Sequence, residues 1–190
     1  MRIIMIYDQI QSGAGIKDDH DVPLGAKKEV IGPAVMMEQS LKKIGGKVIA
    51  CLYCGDGTYA ANPDEVSRKL CAMVNKLKAD VVMCGPCLNY LGYGKMAARV
   101  ANDINNTTEA KAFAAMSVEN EETIAEYKDK VHIIKTPKKG GFGLNESLDA
   151  MCELAKAMHE GDDCSEIVSN IVFKLKNGGG CFFRHPFCII

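Results

Sequence analysis

A doubly wound α/β domain on a mainly parallel, five-stranded sheet, Rossmann-like or flavodoxin-like, is the fold this sequence predicts. Three observations predict it. Short runs of β-branched and apolar residues alternate with longer segments whose apolar residues recur every three or four positions. The short runs are nearly continuous in apolar character, as strands covered on both faces must be. Gly, Asn, Asp and Cys collect in the segments after those runs, which in this architecture are the loops beyond the carboxyl ends of the strands.

The first strand is RIIMIYD (2–8), and the polar stretch QIQSGAGIKDDHDV follows it. PAVMMEQSLKKIGG (33–46) is a helix opened by Pro33, whose missing N–H is not needed in a first turn, and closed by Gly45-Gly46. KVIACLY (47–53) is the second strand and CGDGTYAANP its loop. NPDEVSRKLCAMVNKLK (62–78) carries Asn62 as an N-cap before Pro63, acids in its first turn and lysines in its last, so caps and macrodipole agree. DVVMC (80–84) is the third strand, CGPCLNYLGYG its loop and YGKMAARVANDIN (93–105) the next helix. KAFAAM (111–116) and VHIIKT (131–136) are the remaining strands, separated by the loop SVEN and the helix NEETIAEYKD (120–129). After PKKGGFGLN, the helix GLNESLDAMCELAKAMHEG (143–161) completes an α/β domain over 1–161. A further helix over 162–177 and a glycine-linked, Cys- and Phe-rich tail over 178–190 are expected beyond it.

Composition narrows the function classes. Of 190 residues, 47% are hydrophobic and 25% charged, with a net charge of -1, which argues against disorder and against a polyanion-binding surface. Nucleic acid is therefore not an expected partner. No run approaches the roughly 20 apolar residues of a membrane span, and the N-terminus lacks a signal-peptide cleavage pattern, so a cytoplasmic location without membrane association is expected. Nine cysteines are diluted through the sequence, so reduced thiols are the default. The two C-x-x-C pairs flank a whole helix and a strand rather than a short knuckle, and no metal is expected.

The loops hold the candidate site residues. Gly13 and Gly15 suit close backbone approach, yet the loop lacks the third glycine of a dinucleotide fingerprint and the lysine and hydroxyl of a P-loop. It reads equally as a solvated lid carrying Asp18, Asp19 and Asp21, with His20 either an acid–base group or merely exposed. Cys54 and Asp56 stand at a strand end, where the carboxylate can orient a cationic substrate or cap a turn. Gly92 and Gly94 flank Tyr93 at a helix start, suited to a bound carboxylate or to plain loop-to-helix packing.

Cys84-Gly85-Pro86-Cys87 is a dithiol spelling. At a helix N-terminus such a pair can reach a pKa of about 3.5 to 7.5. In that reading Cys87 attacks and Cys84 resolves; metal binding and buried packing are the alternatives. A thioredoxin fold is disfavoured because the pair follows a third crossover strand. Cys181 and Cys188 in the tail read as a redox arm, as part of a docking peptide, or as an apolar terminus packed on the domain.

In order along the chain, these stretches resemble selenoprotein B of the glycine/sarcosine/betaine reductase complexes, a family related to D-proline reductase. The resemblance covers about residues 1–160. It rests on Gly13, Gly15 and Asp18-Asp19 in the acidic loop, on VIGPAVMMEQSL, and on Cys54-Gly55-Asp56. It continues through Gly85, Pro86, Asn89, Tyr93 and Gly94 of GPCLNYLGYG, and through Met116, Glu119 and Asn120.

The resemblance implies a component or paralogue of such a complex, acting in reductive C–N cleavage of a small amino acid or its N-methylated relative. It implies other complex subunits as partners, with the pyruvoyl group and the selenocysteine carried by them. Self-association stays open, as do a non-catalytic binding or assembly module and a stand-alone dithiol oxidoreductase. Two departures stand out. The family's selenocysteine-bearing half has no counterpart before Ile190, so a substrate-side paralogue, a subunit awaiting a partner and a chain truncated at an in-frame UGA are all expected alternatives. In the family a small residue typically stands at the position of Cys87, so the resemblance does not make the dithiol catalytic.

Overall fold

The computed structural model describes residues 1–162 together with Cys164 and Ile167. The tail with Cys181 and Cys188 lies outside the described residues, as does nearly all of the stretch 162–177.

In chain order the elements are β1 (Arg2–Tyr7), β2 (Gly25–Lys27), α1 (Ala34–Lys43), β3 (Lys47–Tyr53), α2 (Asp56–Ala61), α3 (Pro63–Leu77), β4 (Val81–Cys84), α4 (Leu91–Thr107), β5 (Lys111–Met116), α5 (Glu121–Tyr127), β6 (Ile133–Lys135) and α6 (Leu144–Glu160). A 3-10 turn over Val118–Asn120 precedes α5. The sheet order is β2-β3-β1-β4-β5-β6, and every pairing is parallel except that of β2 with β3. Helices α1 and α6 pack together on one face, and α3, α4 and α5 cover the other. The fold is therefore doubly wound, as the sequence predicts. Among the described residues no helix is long and apolar enough to cross a membrane.

The central strand illustrates the cause. Ile3 through Tyr7 are each 0% exposed, because β1 has a strand on both sides and helices above and below. Burying each such side chain contributes about 1.5–3 kcal/mol. Pro63 opens α3 with Asp64 and Glu65 in the first turn, although the Asn62 side chain makes no capping hydrogen bond, and Gly161 closes α6 in the left-handed region at φ 75°.

Among the described residues the sheet has six strands where five are expected. The extra strand, β2, is three residues long, and only its antiparallel pairing with the outer edge of β3 makes it a strand. No periodicity can signal so short an element. The loop after β3 likewise contains a short helix, α2, beginning at Asp56.

This topology fixes where ligands can approach. From β1 the chain crosses to β3 on one side and later returns past β1 to β4 on the other. The connections therefore diverge at the carboxyl ends of β1 and β4, and the loops after them border a topological switch point.

Candidate functional site

Two polar residues that continue β1 are built into the switch point. Asp8 and Gln9 are each 1% exposed. Asp8 Oδ1 accepts the Gln11 N–H at 2.6 Å, and no Lys or Arg pairs with this carboxylate among the described residues. Burial pushes the Asp8 carboxyl up to about 6, the Gln11 N–H opposes the rise, and the charge of Asp56 adds to it. Sequence reading missed both residues, since they close an apolar run without any motif. A carboxylate at the inner end of a central strand is the only signal that points to Asp8.

The β4 loop is fastened to its neighbours by the residues that carry the family resemblance. Gly85 has φ 140°, and a Cβ there would lie 2.7 Å from the Ala115 carbonyl oxygen, so only glycine fits. Gly85-Pro86 is a cis peptide. The Cys87 N–H donates to the Ala115 carbonyl at 2.7 Å, and Tyr93 Oη donates to the Ile6 carbonyl at 2.7 Å, tying α4 to β1.

The Leu88 carbonyl accepts the Ser117 N–H at 2.9 Å, the Ser117 hydroxyl at 2.7 Å and Asn120 Nδ2 at 2.9 Å. Asn120 Oδ1 is buried without a hydrogen-bond partner, and it sits where a Cβ on Gly94 would be. Gly94 and Asn120 are thus a close-packed pair. Asn89 is half-buried. Glu119 is exposed, held low by the Ser117 hydroxyl, and faces Lys138 at 3.4 Å.

Asp56 gathers a second group of loops. Its Oδ1 meets His20 Nδ1 at 2.6 Å, accepts Gln9 Nε2 at 3.1 Å and accepts the Gly57 N–H at 3.0 Å. The Asp56 N–H donates back to Gln9 Oε1 at 3.2 Å. Gly92, in the first turn of α4, leaves room for this carboxylate, since a Cβ there would lie 2.8 Å from Asp56 Oδ2. One carboxylate thereby joins the loops after β1, β3 and β4. Gly15 packs against Asp19 and Val22 within the lid, whereas Gly13 has open space around its Cβ position.

The dithiol is placed differently from what its spelling suggests. Cys84 and Cys87 are both 0% exposed, and Cys87 Sγ lies 3.9 Å from the Cys84 carbonyl oxygen. Burial pushes both thiols far above their usual range, so thiolate formation is opposed at neutral pH. Helix α4 begins at Leu91, beyond Cys87. Cys54 is also buried, and burial pushes it up to about 11.

An open cleft of about 340 Å³ runs beside Leu24, Thr58 and Val66, and one of about 300 Å³ lies near Lys111 and His132 at the amino edge.

The family model for glycine/sarcosine/betaine reductase selenoprotein B matches residues 1–174, a stretch that includes every loop described above. The glycine reductase complex component B subunit gamma of Peptoclostridium acidaminophilum is 25% identical over 164 residues, covering 86% of this chain and 36% of that protein. The same-named subunits of Peptoclostridium litorale and Symbiobacterium thermophilum are 25% and 22% identical, each with 86% of this chain and 37% of the relative covered. The chain thus spans a little over a third of the length of these curated relatives. No solved structure matches it.

Proposed function

Since the chain belongs to the glycine/sarcosine/betaine reductase selenoprotein B family, we propose that it is a component of a glycine-reductase-type complex. Its part is to bind a small amino acid, or an N-methylated relative, and to assemble with other subunits. The observation that carries this reading is the family match, which runs unbroken through all the carboxyl-edge loops.

The geometry favours a binding and positioning role. Asp56, whose side chain is 24% exposed, offers a carboxylate at the carboxyl edge suited to a cationic group, with the buried Asp8 close by and without a basic partner among the described residues. The ties from Gly85, Ser117, Asn120 and Tyr93 hold the surrounding backbone rigid, which is what a preorganised site requires. Cys84 and Cys87 serve as packing residues in this reading, because a nucleophile must be both ionisable and reachable and they are neither. The carbonyl and selenol chemistry of C–N cleavage would come from pyruvoyl and selenocysteine groups on partner polypeptides. Neither buried thiol is placed to stand in for them.

The test is assembly and ligand response together. The chain, mixed with the subunits of a glycine reductase complex, is expected to co-elute with them in size-exclusion chromatography. Glycine, sarcosine or betaine is expected to raise its melting temperature. The Cys84→Ala/Cys87→Ala variant should do both. Failure of assembly and of every ligand response in the folded protein would refute the proposal, and loss of ligand response only in the cysteine variant would restore the dithiol reading.

A further inference from the structure

His20 is held far more firmly than an exposed loop residue needs to be. Its carbonyl oxygen accepts the N–H groups of Gly57 at 3.0 Å and Thr58 at 3.1 Å, and two residues on, the Val22 carbonyl accepts the Gly55 N–H at 2.8 Å. Its Nδ1 meets Asp56 Oδ1 at 2.6 Å.

This clamp explains the Gly55-Asp56-Gly57 sequence. Gly55 has φ -64°, a value any residue adopts, so conformation does not demand glycine there. Space does: a Cβ on Gly55 would run into the His20 carbonyl, and one on Gly57 would lie 2.8 Å from His20 Cβ. Both glycines make room for the backbone and Cβ of His20.

The imidazole itself is left half free. Its side chain is 54% exposed, and Asp56 is its only hydrogen-bonding partner among the described residues. In the neutral ring, Nδ1–H donates to the carboxylate and Nε2 presents a lone pair outward. Gln9 and the Gly57 N–H fix the carboxylate in turn, completing an orienting chain of base, carboxylate and support. Of the described histidines, His20 alone is at the carboxyl edge, because His132 directly precedes β6 and His159 ends α6. The charged groups facing it are Asp56 of α2 and Asp18 and Asp21 of its own loop, and hydrogen bonding to Asp56 foremost raises its proton affinity.

We propose that His20 is a proton-transfer residue, with Asp56 and Gln9 as its positioning residues, that takes a proton from the ammonium group of a small amino acid bound at the carboxyl edge. The proton moves to Nε2, the ligand nitrogen keeps the electron pair, and the ligand becomes a free amine. This rests on the ligand class in the proposed function.

Nuclear magnetic resonance of the histidine ring in the full chain tests it. At pH 8, glycine is expected to move the His20 signals to the imidazolium position, whereas betaine, which has no N–H, binds without doing so. In the free protein, Asp56→Asn should lower the proton affinity of His20, and Gln9→Ala, which leaves the carboxylate in place, should weaken the glycine-induced shift. Glycine binding that perturbs other signals while His20 stays neutral overturns this inference alone. No response of any signal to glycine or betaine overturns the ligand reading and this inference with it.

Discussion

Replacing Asp8 with asparagine should stabilise the protein above pH 6. Asp8 is a buried carboxyl whose ordinary value of 3.8 is raised to about 6 in the fold, chiefly by burial. Between those values the native state holds more protons than the unfolded chain, so stability falls as pH rises through that window. The full difference corresponds to about 3 kcal/mol of penalty on the ionised form, an upper bound. Asparagine keeps the Oδ1 acceptor for the Gln11 N–H and removes the charge. The gain over wild type should therefore be near zero at pH 4 and should reach about 2–3 kcal/mol at pH 7.5. Urea unfolding at both pH values, with unchanged m-values, measures it. A variant no more stable than wild type at pH 7.5, or one equally stabilised at pH 4, refutes the argument.

Three other outcomes are expected. Thiol reagents should leave Cys84 and Cys87 unmodified in the native protein at pH 7.5 and modify them in urea, while alanine at either position costs about 1–2 kcal/mol through lost packing; rapid native labelling contradicts this. Gly94→Ala should lower stability by about 1 kcal/mol or more despite alanine's better helix propensity, because its methyl meets Asn120 Oδ1. In an Asn120→Ala background the same substitution should become neutral or favourable, and a double-mutant cycle by chemical denaturation reads the difference. Tyr93→Phe should cost about 1–3 kcal/mol by removing the buried hydroxyl that donates to the Ile6 carbonyl, a loss that thermal unfolding will detect.

Much of the fold is legible in the residues, for a local reason. KVIACLY becomes β3 over its whole length and KAFAAM becomes β5, because a continuous apolar run has few other ways to be buried on both faces. The helix beginning at Pro63 is readable from Pro63 and the acids after it. Strand β2 is not readable, because its identity lies in pairing with β3 rather than in its own three residues.

The site divides along the same line. Its place, in the loops beyond the carboxyl ends, follows from the alternation of strands and helices, which the sequence determines through side-chain periodicity alone. Its chemistry depends on residues far apart in the chain. Asp56 meets His20 across 36 positions and Gln9 across 47. Gly94 needs to be glycine because of Asn120, and Gly57 because of His20. Cys84-Gly85-Pro86-Cys87 carries the spelling of a redox pair, yet the surrounding strands and α4 enclose both sulfurs. Periodicity is a property of neighbouring residues and can be read along the chain. Burial, proton affinity and steric room are set by what the folded chain brings alongside, and only the tertiary structure decides them.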